Sequence, residues 1–100
     1  MKRYIKSTSI NTELHNQELH ELADEISAAL PGSDTTYHEN NNIVIATKCD
    51  MSKIADILIE EIGFNFVSDD SDGIYLEKQD HLYTAWIWSD GVNGNKITLR

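Results

Sequence analysis

Apolar residues recur along this chain in two different periods, and the alternation between them lays out the elements. Leu19, Leu22, Ala23, Ile26, Ala29 and Leu30 fall at three- and four-residue steps, the spacing of one helix face. Thr12 or Asn16 is placed to cap that helix, and Pro31–Gly32 ends it. A second stripe, Ile54, Ile57, Leu58 and Ile62, follows Asp50 as N-cap, with Cys49 and Ile54 set as a hydrophobic staple. Gly63 then suits the left-handed residue after a helix end, with Phe64 turned back onto Ile59. Elsewhere the period is two. Thr35–Glu39 and Ile43–Lys48 read as a hairpin across Asn40–Asn41–Asn42. Phe64–Ser68, Ile74–Lys78, Leu82–Trp88 and Lys96–Leu99 read as further strands, with turns at Asp69–Gly73, Gln79–Asp80 and Ser89–Gly94. Met1–Asn11 is polar around Arg3–Tyr4–Ile5 and reads as a first strand or a flexible arm.

These elements predict one α+β domain over residues 1–100, with two helices on one face of an antiparallel-rich sheet. The order is (β)αββα followed by a β-meander. With the first strand counted, it begins like a ferredoxin-like fold and adds C-terminal strands. A two-residue turn at Gln79–Asp80 would pair Leu76 with Tyr83 and Ile74 with Ala85. One sheet face then carries Phe64, Phe66, Ile74, Leu76, Tyr83, Ala85 and Ile87, and the other carries Tyr75, Glu77, Leu82, Thr84, Trp86 and Trp88. If the helices cover the first face, Phe66→Ala is expected to cost ~3–5 kcal/mol. Tyr75, Trp86 and Trp88 are then outward, and such residues are enriched where proteins bind.

Charge changes the picture more than composition does. The chain has 17 acidic and 8 basic side chains, a formal net charge of -9. Between Ser7 and Glu77 the only bases are Lys48 and Lys53, against 15 acids. Glu18, Glu21, Asp24 and Glu25 crowd one helix face, Glu60 and Glu61 sit at the negative end of their own helix, and Asp69, Asp70 and Asp72 share a turn. Such a surface repels nucleic acid and anionic membrane and attracts cations. The one cysteine, Cys49, excludes an internal disulfide and points to a reducing, cytoplasmic setting. No apolar run reaches the length of a membrane span, and the basic N-terminus lacks the apolar stretch of a signal peptide.

Candidate chemistry is sparse. Aligning Gly73 with the glycine of a calcium loop puts Ser68 first and Gln79 twelfth, so the first Asp and the bidentate Glu are missing. His15, His20, His38 and His81 lack zinc spacing. Gly-x-Ser-x-Gly, Walker A and Gly-x-Gly-x-x-Gly are absent. Neither a catalytic residue, a metal nor a cofactor is therefore expected. The expected role is a small acidic protein-binding module, contacting its partner through Glu18, Glu21, Asp24, Glu25, Glu60, Glu61, Asp69, Asp70, Asp72, Tyr75, Trp86 and Trp88. The expected partner is a basic protein, most concretely a nuclease whose nucleic-acid site the module occupies. In size and acidity alone the chain is similar to phage-encoded anti-CRISPR proteins and toxin immunity proteins. A homo-oligomer stays open. The alternative is a soluble α+β domain whose acidity serves only solubility, a small enzyme included.

Overall fold

The computed structural model describes residues 2–38, 42–80 and 82–100, with residues 2–14 as helical backbone. Helix α1 spans Lys2–Ala29. Strands β1 (Asp34–Tyr37) and β2 (Ile43–Thr47) follow, then α2 (Met51–Ile57), which continues as a π turn over Leu58–Ile62. Strands β3 (Asn65–Asp70), β4 (Gly73–Lys78), β5 (Tyr83–Ser89) and β6 (Asn95–Leu99) complete the chain. They form one six-stranded sheet in the order β1-β2-β6-β5-β4-β3, every neighbouring pair antiparallel. The fold is thus α+β, with two helices on an antiparallel sheet.

The first segment corrects the expectation of a strand or arm. Residues 2–16 contain neither Pro nor Gly, and extending an existing helix adds a hydrogen bond per residue without a second nucleation. The modest helix propensity of Ile5, Thr8, Ile10 and Thr12 does not outweigh that gain. No cap falls at Thr12 or Asn16, and the ferredoxin-like order matches only roughly. Its opening strand is missing, and β6 lies beside β2.

Two rows of inward side chains make the core. Ile45, Ile97, Ile87 and Ile74 stand opposite one another across β2, β6, β5 and β4. Ile43, Leu99, Ala85 and Leu76 form the second row. All eight are buried, under Leu19, Leu22, Ala23 and Ile26 of the first helix, Leu30 just past its end, and Ile54, Leu58 and Ile62 of the second. The β4–β5 register differs from the expected one by two residues. Leu76 faces Ala85 and Ile74 faces Ile87, because the connection is four residues long, 79–82. A shift of two leaves every side chain on its predicted face.

Phe66 is a genuine correction. It pairs with Leu76 on the helix side, yet 58% of it is exposed, whereas Phe64 is buried to 1%. The helices pack over β1, β2, β4 and β5, and β3 is the edge beyond them. A bulge between Phe66 and Ser68 further breaks the alternation there and leaves Val67 exposed.

Candidate protein-binding surface

The sheet face away from the helices is open. Thr36, Val44, Thr98, Trp86, Tyr75 and Ser68 line up across all six strands in one continuous row. Trp88 and Lys96 pair beside it. The period-two pattern of β4 and β5 fixes this side, since Ile74, Leu76, Ala85 and Ile87 point into the core.

The aromatic rings stack on one another. Tyr75 lies 5.9 Å from Trp86 with their planes 9° apart, and Trp86 lies 5.3 Å from Trp88 at 22°. Lys96 Nζ sits 5.5 Å over the Trp88 ring and 2.7 Å from Asp90 Oδ2. That ammonium holds the Asp90 carboxyl below its ordinary value, chiefly through the hydrogen bond between them. Trp88 Nε1 donates to Thr98 Oγ1 at 2.9 Å, and Trp86 Nε1 donates to the Asp72 carbonyl at 3.1 Å. The second bond ties the aromatic row to the acidic turn, where Asp70 Oδ1 accepts from the Asp72 amide at 2.8 Å. Asp69, Asp70 and Asp72 share a groove of about 650 Å³ with Trp86 and Trp88.

The structure therefore brings Tyr75, Trp86, Trp88, Asp69, Asp70 and Asp72 together on and beside the open face. It sets the helix acids apart from them, on the helical layer. Glu18, Glu21 and Glu25 line a hollow of about 340 Å³ with Lys78, Gln79 and Tyr83. The Tyr83 hydroxyl donates to Glu18 Oε2, and the His15 ring stacks on Tyr83 at 4.7 Å. Burial, that hydrogen bond and the charges of Glu18 and Glu21 push the Tyr83 hydroxyl up to about 12. Asp24 accepts from Tyr37 at 3.4 Å, and Tyr37 is shifted upward by burial and by Asp24. Glu60 and Glu61 are exposed on the π turn. Their unfavourable position is offset by Lys78, whose Nζ donates to the Ile62 carbonyl at that helix end.

Lys78, Tyr83, Asp90 and Lys96 were not singled out from the sequence. Each owes its place to a neighbour on a different strand or helix, and no local pattern carries that information. Among the described residues, no three His, Cys, Asp or Glu side chains gather as a metal would require. His81 lies outside the described residues. No helix of the described residues is long and apolar enough to cross a membrane.

Fold and surface together define an α+β domain with one uncovered, aromatic sheet face edged by carboxylates. No protein-family model matches the chain, and neither does any curated protein or solved structure.

Proposed function

We propose that this protein is an acidic protein-binding module that occupies the basic, nucleic-acid-binding surface of a nuclease-type partner. The observation that carries the reading is the bond from Trp86 Nε1 to the Asp72 carbonyl, which ties the stacked aromatic rings of an uncovered face to the acidic Asp69–Asp72 turn at its end. Half-buried aromatic side chains supply contact area, and carboxylates beside them match cations that otherwise hold phosphate. The net charge of -9 steers such a partner in. It also disfavours a second copy of the chain on the same face.

The competing reading, acidity for solubility alone, has support at the first helix. Its acids lie on the other layer from the aromatic face, and Glu18 and Asp24 already bond to tyrosines. One docked partner therefore does not meet all the acids.

Capture from the native host, followed by competition with DNA and RNA, tests the proposal. The expected result is a basic partner that releases nucleic acid when this protein binds, with an affinity that falls as salt rises. A captured partner that keeps its nucleic acid in the complex would overturn it.

A further inference from the structure

Tyr75 stands at the end of the stacked aromatic row. Trp86 stacks on both Tyr75 and Trp88, and Lys96 lies over the Trp88 ring. Tyr75 has Trp86 on its β5 side. On its β3 side the cross-strand partner is Ser68, too small to cover a phenol ring. That side opens on a hollow of about 410 Å³ lined by Tyr75, Val67, Ser68, Thr84 and the acidic residues Asp70 and Glu77.

The far end of the same stack shows what such a place accepts. There Lys96 lies over Trp88 while Asp90 holds its ammonium. An aromatic face is negative and attracts a cation, and a carboxylate beside it adds charge and hydrogen bonding. The hollow beside Tyr75 repeats that pairing of ring face and carboxylate, with Asp70 in the place of Asp90. We infer that the hollow between Tyr75 and Asp70 receives a lysine or arginine side chain of a basic protein partner. This rests on the proposed basic partner and specifies where one of its cations lodges. The chain's own Arg100, bonded to Thr84 through both backbones, lines a neighbouring hollow with Tyr75, Thr84 and Trp86.

Trp86 and Trp88 are the chain's two tryptophans, so intrinsic fluorescence reports directly on this stack. The full chain is titrated with a hexaarginine peptide and, separately, with a hexaglutamate peptide. Hexaarginine is expected to change the emission saturably, and hexaglutamate is expected to leave it unchanged. Tyr75→Leu, which removes the ring face, and Asp70→Asn, whose amide oxygen can still accept from the Asp72 amide, should each weaken hexaarginine about two- to fivefold. Tyr75→Phe keeps the ring face and should bind like the parent. Circular dichroism checks that each variant is folded. Parent-like binding by both weakening variants, with loss instead on neutralising Glu18, Glu21 and Glu25 to Gln, would overturn the hollow and leave the basic-partner reading standing. No response of the parent to hexaarginine would also overturn the hollow, while the host capture and nucleic-acid competition judge the broader reading independently.

Discussion

Phe64 and Phe66 are two residues apart, nominally on the same side of a strand, and differ almost completely in exposure. Burial is what a truncation measures. Phe64→Ala should cost about 3–5 kcal/mol, and Phe66→Ala less than about 1 kcal/mol, in parallel denaturant titrations. Tyr83 gives a pH test. Its hydroxyl ionises near 12 in the folded protein and near 10 when unfolded. The folded state thus holds the proton more tightly. That stability is full below pH 10 and is lost as pH rises through 12, because the unfolded chain releases its proton first. Tyr83→Phe should therefore flatten the fall in stability between pH 10 and 12, by on the order of 2 kcal/mol at most. Urea unfolding of both proteins at pH 8 and at pH 11 reads the difference. An unchanged alkaline slope would remove Tyr83 from the account.

At the scale of elements, the end of the second helix is the informative place. Its α-helical turns give way to a π turn, and the amides of Gly63 and Phe64 both return to the Leu58 carbonyl. A Schellman end would take the Phe64 amide to the Ile59 carbonyl; the wider π turn moves that bond one residue back, to Leu58. Gly63 has φ 95°, and a Cβ there would lie 3.0 Å from Lys78 Nζ. Gly63→Ala should destabilise by about 1–2 kcal/mol, from left-handed strain before any displacement of the lysine. Lys78→Met should cost about 0.5–2 kcal/mol by removing the cation from the helix end. Thermal melts of the two variants check both values. If Lys78→Met melts like the parent, the helix end is satisfied by solvent and Glu60 and Glu61 need another explanation.

Across the whole molecule, two of the acidic clusters lie apart, Glu18, Glu21, Asp24 and Glu25 on the first helix and Asp69, Asp70 and Asp72 in the turn at the end of the aromatic face. This makes a directional prediction. Changing Asp69, Asp70 and Asp72 to Asn should slow association with a basic partner and flatten its salt dependence. Changing Glu18, Glu21 and Glu25 to Gln should change association less, since those side chains lie behind the sheet. Stopped-flow association at two salt concentrations separates the two groups. Equal effects would mean that net charge alone steers the encounter.

Much of this architecture was legible from period alone. Stripes at three and four residues marked the buried sides of both helices, from Leu19 to Leu30 and from Ile54 to Ile62. Alternation in Ile74–Lys78 and Leu82–Trp88 puts Tyr75, Trp86 and Trp88 on one sheet face, and the two-residue difference in register leaves them on it. These are local properties, fixed by 3.6 and 2.0 residues per repeat. Strand order is not local. That the last strand enters the middle of the sheet between β2 and β5, that Lys78 reaches the end of the second helix, and that Lys96 lies over Trp88 all depend on contacts between distant segments. Phe66 shows the same limit. Its side chain follows the alternation, but whether anything covers it depends on where the helices stop, and only packing of the whole chain decides that.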